Sequence, residues 1–286
     1  MAQNSCDEFF KPSDTINTKR QKAVFISETV LASAALIGLN QLWYADYPKS
    51  NFHFINDNDH WLQMDKMGHL YSSYHIGQFG AEALNWSGTS KKNQLIYGAS
   101  LGFVFLTAVE VMDGFSAEWG ASMGDVVANA SGTALYVSQE LIWNEQRIIP
   151  KFSYHKTQFS NYRPDVLGST VSEQIIKDYN GQTYWLSANI HSFSKGSKIP
   201  KWLNVALGYG AEGMISANGE NFTPILTPKP EKFRQFYLSL DVDLSKIKTK
   251  SHFLKTILAF FNTVKIPAPT VVYSPQHGFK LYSFYF

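Results

Sequence analysis

The chain has 286 residues, of which 44% are hydrophobic, 15% aromatic and only 17% charged, with a formal net charge of +2; the usual charged share is about 25%. So small a net charge, with no dense Lys/Arg stripe, excludes a nucleic-acid partner, and a single cysteine, Cys6, excludes an intramolecular disulfide. Few charges with many aromatics suit either contact with lipid or a large buried core.

Taken in order, Met1–Asn4 has no apolar stretch of a signal peptide, but Ala2-Gln3 looks like the pair left by signal-peptidase cleavage with Met1 added ahead of it. That places the mature chain in the cell envelope, in the periplasm or outer membrane. Cys6 reads as a free thiol, since Gln3-Asn4-Ser5 is a poor lipobox. Residues 1–20 are polar, with Pro12, Ser13 and Asp14, and read as a flexible N-terminal arm. From Gln21 to Trp43 an apolar run is interrupted only by Glu28 and Asn40. Its length matches the roughly 20 residues that span a bilayer, although a buried helix of a soluble bundle has the same pattern. Trp43, Tyr44 and Tyr47 form an aromatic cluster of the kind found at a membrane boundary. Residues 45–60 are turn-rich; Asn56-Asp57-Asn58-Asp59 lacks the Gly and distal Glu of a calcium loop and reads as a solvated turn.

Three further helices are expected, over about 62–85, 93–115 and 121–145. Small residues recur at four-residue spacing, Gly98 with Gly102 and Gly124 with Ala128 and Gly132, which permits close helix approach. After Pro150 the character changes. A short helix is expected at 172–179, strands at 184–193, 202–215, 233–244, 269–273 and 279–286, and an amphipathic helix at 253–264. Phe236, Leu238, Leu240 and Val242 alternate with Tyr237, Ser239, Asp241 and Asp243 at the strand period. Asn218-Gly219 is a hairpin signal. The aromatic end, Tyr282 to Phe286, resembles the terminal strand of outer-membrane barrels, but about five strands cannot close one. The expected fold class is therefore α+β: a membrane-associated four-helix bundle over 21–150, then a small antiparallel sheet of about five strands over 151–286, in the form of a partial barrel or open layer.

Ionisable groups set in apolar helices are costly and usually serve a purpose. Asp65 and His69 are spaced i, i+4, as are Asp125 and Asn129, and Glu110 and Asp113 are spaced i, i+3. If these helices pack together, the carboxylates, with Glu118 in the following loop, can converge on one imidazole and one amide. Such a set suits a divalent metal ion held by Asp65, His69, Glu110, Asp113 and Asp125, or a carboxylate–His general base. Capping by Asp65 and Asp125, or interhelical hydrogen bonding, would explain the same residues structurally. Tyr71, His75, Gln78 and Glu82 form a second polar stripe that reads as interfacial or solvent-facing. No phosphate loop, nucleophile elbow or HExxH motif is present.

In combination, Asp65-Lys66-x-x-His69, Glu110-x-x-Asp113 and Asp125-x-x-x-Asn129-x-x-Gly132 resemble the YfiM-like family of predicted periplasmic lipoproteins, a domain of unknown function, and more distantly the VanZ-like membrane proteins. The resemblance covers about residues 25–145. Ala121, Ser122 and Met123 stand where VanZ-like proteins carry an Arg before the Asp. It implies an envelope location and no established reaction. The function expected is an outer-membrane-associated envelope protein whose Asp/His/Glu site binds, and hydrolyses or modifies, a membrane lipid or its head group. Asp65 and His69 would act as the base pair, Glu110, Asp113 and Asp125 as ligands or orienters, and Asn129 as hydrogen-bond donor. The rival reading is a non-enzymatic scaffold whose sheet pairs with an outer-membrane barrel partner.

Overall fold

The computed structural model describes residues 2–194, 196, 198–217 and 230–286; the expected hairpin at Asn218-Gly219 lies outside them. The chain divides into two compact units. One comprises residues 1–57, 69–146 and 251–253; the other comprises 58–68, 147–250 and 254–286.

The first unit is helical. Residues Ala2–Phe10, expected in a loose arm, form helix α1. Helix α2 spans Thr18–Tyr44, its start fixed by the Asn17 side chain, which accepts from Arg20 N at 3.1 Å. Helix α3 spans Met64–Trp86, α4 spans Lys91–Gly114 and α5 spans Met123–Ile142. Strands β1 (Phe54–Ile55) and β2 (Ala121–Ser122) pair in parallel just ahead of α5. Close packing joins α3, α4 and α5, whereas α2 buries only Val24 along its length to Leu39. Of the four helices expected as a bundle, three are closely packed, and α2 is mostly exposed. Both α2 and α4 are long and apolar enough to cross a membrane.

The small residues allow the helices to approach this closely. A Cβ on Gly102 would stand 2.0 Å from the Ser73 carbonyl oxygen, and one on Gly132 would stand 2.2 Å from that of Leu70. Backbone cannot yield to such contacts as a side-chain tip can. Gly102→Ala and Gly132→Ala should each lower stability by about 2–3 kcal/mol, read as a lower thermal unfolding midpoint by circular dichroism. Gly38→Ala, on α2 with nothing within 4 Å of the added carbon, should leave stability unchanged or raise it by about 0.5–1 kcal/mol.

The second unit is built on six antiparallel strands in chain order. They are β3 (Ile148–Tyr154), β4 (Gln182–Asn189), β5 (Leu203–Glu212), β6 (Phe233–Val242), β7 (Ala268–Ser274) and β8 (Gly278–Tyr285). Strand β3 is absent from the sequence reading because Pro150 reads as a break; here it pairs with Leu186. The short helix, α6, falls at Val171–Lys177, and the amphipathic one, α7, at His252–Phe261. Residues 190–193, expected to extend β4, turn into helix after Asn189 caps them through Ser192 N.

The sheet curls without closing. Neighbouring strands lie about 4.8 Å apart, so β3 and β6 would be about 14 Å apart if flat, yet Lys151 Nζ on β3 reaches Asp241 Oδ2 on β6 at 2.7 Å. Likewise Tyr285 on β8 stacks near Trp185 on β4, with ring centroids 6.1 Å apart. The inner face is a polar network. Ser187 Oγ donates to Asp241 Oδ2 at 2.6 Å, Asn204 Nδ2 to Ser187 Oγ at 2.9 Å, and Asn189 Nδ2 to Asn204 Oδ1 at 2.8 Å. Lys265, fully buried, lies 4.0 Å from Asp241 Oδ1 and over the Trp185 ring. The apolar residues of β6 face outward instead: Phe236, Leu238 and Leu240 are 46–50% exposed while Tyr237, Ser239 and Asp241 are buried.

Burial lowers the Lys265 ammonium pKa from 10.5 to about 8, with Asp241 opposing the shift and Lys151 adding to it. Between those values the unfolded chain binds the proton and the folded chain does not, so stability rises as pH climbs from about 8 towards 10.5. The full penalty holds below pH 8. Lys265→Met should therefore raise stability at pH 7 by about 1–3 kcal/mol and flatten the rise in the thermal midpoint between pH 8 and pH 10.

Candidate functional site

The helical unit brings four expected residues to one place. His69 comes from the first turns of α3, Glu110 from the last turns of α4, and Asp125 and Asn129 from one face of α5. Glu110, Asp125 and Asn129 are buried and His69 is partly so. His69 Nδ1 lies 2.9 Å from Asn129 Oδ1, and its Nε2 lies 3.7 Å from Glu110 Oε1 and 3.8 Å from Asp125 Oδ1. An amide oxygen can only accept, so Nδ1 carries the proton it donates to Asn129, and Nε2 is the nitrogen turned to the two carboxylates.

The α5 start is ordered by Ser122, which caps the helix by accepting from Asp125 N at 3.2 Å. Its own N–H donates to Glu110 Oε2 at 3.0 Å, and its hydroxyl donates to Asp57 Oδ1 at 2.6 Å. The β1–β2 pairing, Ile55 opposite Ser122, carries the chain to this point. Ser73 Oγ, one turn beyond His69, donates to the Asn129 carbonyl at 2.6 Å and lies 2.9 Å from Thr133 Oγ1. Asn129 Nδ2 is buried without a hydrogen-bond partner among the described residues.

Three other expected residues do not meet the imidazole in the same way. Asp113 accepts from the Tyr44 hydroxyl at 2.7 Å, the i+3 spacing having turned it to α2 instead of the imidazole. Asp65, in the first turn of α3, pairs with adjacent Lys66 at 2.8 Å. Glu118 is exposed. Of the expected carboxylates, Glu110 and Asp125 are the two whose oxygens stand 3.7 and 3.8 Å from His69 Nε2. Asp57, read as part of a solvated turn, is buried on Ser122; only its distant strand pairing brings it there. His75, expected on an interfacial or solvent-facing stripe, is also buried, with Nδ1 3.2 Å from Gln78 Oε1.

Two buried carboxylates face one imidazole nitrogen here. Ligand atoms of His69, Glu110 and Asp125 lie within 4.8 Å of one another, and two carboxylate charges at that separation repel by about 3 kcal/mol at an effective dielectric of 20. A divalent cation reverses that sign. Atoms spaced this way surround a centre about 2.2–2.5 Å from each, within the usual range for zinc or calcium bonds to protein ligands.

A family model described as predicted periplasmic lipoprotein (DUF2279) matches residues 53–139. The matched stretch contains His69, Glu110, Asp125, Asn129, Ser122 and Asp57, so it holds the whole cluster. No curated protein and no solved structure matches the chain. Periplasmic placement of that family accords with an envelope location, and α2, apolar and near the N-terminus, is of the kind that also passes for a signal sequence.

The tautomer is open to direct measurement. Long-range proton–nitrogen correlation spectra should show His69 protonated at Nδ1 in the wild type. In Asn129→Leu the ring should lose that preference, with Nε2–H becoming populated. A wild-type ring protonated at Nε2 would mean that the carboxylates share a proton with the imidazole and hold no cation.

Proposed function

We propose that this chain is an envelope protein whose helical unit binds a divalent cation through His69 Nε2, Glu110 and Asp125. Through the open positions of that cation it engages an anionic head group of a membrane lipid. The observation that carries this reading is the orientation of His69: Nδ1–H fixed by Asn129, Nε2 turned to two buried carboxylates. Outer partners that fix a ligating imidazole are typical of metal sites. One nitrogen and two carboxylate ligands suit zinc, manganese or ferrous iron better than the all-oxygen preference of magnesium or calcium. Three protein ligands leave positions for water or a phosphate oxygen, as in catalytic sites.

The residues divide the work. Asn129 orients the ring, Ser122 holds Glu110 by its N–H, and Asp57 orders Ser122. The membrane enters the proposal through α2 and α4, whose apolar length suits a span and whose lipid would supply the head group. A bound metal would polarise a phosphoester and lower the pKa of a bound water; hydrolysis of the head-group ester is the reaction class that fits.

The experiment is metal analysis of the full chain purified without chelator and then saturated with zinc or manganese. About one equivalent should be retained, with a higher unfolding temperature by mass action, and His69→Ala and Asp125→Asn should each lose it. A folded wild-type chain that retains no metal and shows no thermal shift with either ion would overturn the assignment.

A further inference from the structure

The second unit carries a surface that the helical site does not use. On the outer face of the sheet the register aligns Leu186, Leu207, Leu238, Val271 and Leu281 in one row across five strands. Each is at least 37% exposed. Two residues further along the strands lies an aromatic row in which Phe236, Tyr273 and Phe279 are paired in turn and exposed. In the opposite direction the row of Val205 and Leu240 leads to an open groove of about 750 Å³ at the strand ends. Lys201, Lys246, Lys248 and His191 line that groove, together with half-exposed Trp202 and Ile247.

The charge is one-sided. No Asp or Glu stands between residues 190 and 211 or after Asp243, while Lys198, Lys201, Lys246, Lys248, Lys250 and Lys255 all do. Among the described residues Lys201 and Lys248 form no ion pair. From Val242 to Phe236 the strand advances about 20 Å, so the face runs from a basic, Trp-bearing rim through an aliphatic band to an aromatic row. Apolar outside with polar inside, bounded by aromatics, is the layering of a sheet in lipid, and lysines beside an apolar face attract anionic head groups. A second copy of the chain would bring a like-charged rim against this one, and that repulsion disfavours it.

We infer that the outer face of the sheet docks on an anionic phospholipid bilayer, with Leu207, Leu238 and Leu281 against acyl chains and the Lys201–Lys248 groove on a head-group phosphate. This surface is independent of the His69 site. The two stand or fall separately, because metal content reads one and dye position the other.

The test places an environment-sensitive dye on the full chain in a Cys6→Ser background, at Leu238→Cys, Leu281→Cys or, away from this face, Asp165→Cys. Vesicles of phosphatidylcholine alone and of phosphatidylcholine with an equal share of phosphatidylglycerol are compared. The dyes at 238 and 281 should shift to the blue and be quenched by nitroxide lipids, most strongly with phosphatidylglycerol, and the dye at 165 should not. The pair Lys201→Glu and Lys248→Glu should lower affinity for the anionic vesicles by more than about tenfold. Dyes at 238 and 281 that stay open to aqueous iodide in the vesicle-bound chain would overturn the inference. So would protection that needs no vesicles and grows with protein concentration, which assigns the face to a second copy, or an equal response to inorganic phosphate alone, which reduces the groove to a phosphate site.

Discussion

The helical unit depends on how closely backbones pass at Gly102 and Gly132. With a side chain at either position the crossing helix would have to retreat by an ångström or more, since the opposing atoms are carbonyl oxygens fixed in their own helix. That retreat would separate His69 from Asp125 and Glu110, whose contacts tolerate no such gap. The two glycines have no chemistry, yet they set the distance on which the chemistry relies. Ser73 adds to the same crossing by bonding the Asn129 carbonyl.

Buried charge is handled differently in the two units. In the sheet, Asp241 is surrounded by donors: Lys151, Ser187 and the Ile266 N–H all reach it. Desolvation is offset there within the fold, leaving Lys265 as the group under strain. In the helices, Glu110 and Asp125 each turn a carboxylate oxygen to His69 Nε2, at 3.7 and 3.8 Å. The Asp241 cluster is therefore structural, and the cation site proposed above is placed at the His69 cluster.

The sequence made the helical unit largely legible. Apolar runs placed α2 to α5 within a few residues, the four-residue rows of small side chains marked the close crossings, and the i, i+4 pairs named His69, Asp125 and Asn129. These are local signals, written in helical period and residue size. Asp113 shows the limit, since a residue at i+3 from Glu110 turned to Tyr44. Asp57 shows it from the other side: nothing in an Asn/Asp-rich turn announces a partner at Ser122. The sixth strand was hidden by Pro150, which fits here because its pairing with β4 does not call on the N–H it lacks.

By itself, then, the sequence determined the helices, the strand-rich second part, the alternation along β6 and the ionisable residues set along the helices. Only tertiary structure decided which of them meet, and which side of the alternating strands is inside. A period of two defines two faces but carries no sign. The sign follows from the curl of the sheet, which brings Lys151, Asp241 and Trp185 together and leaves leucine and phenylalanine outward. Likewise, helical spacing fixes the side of a helix on which an acid stands, while the angle and distance of the neighbouring helix fix what it faces.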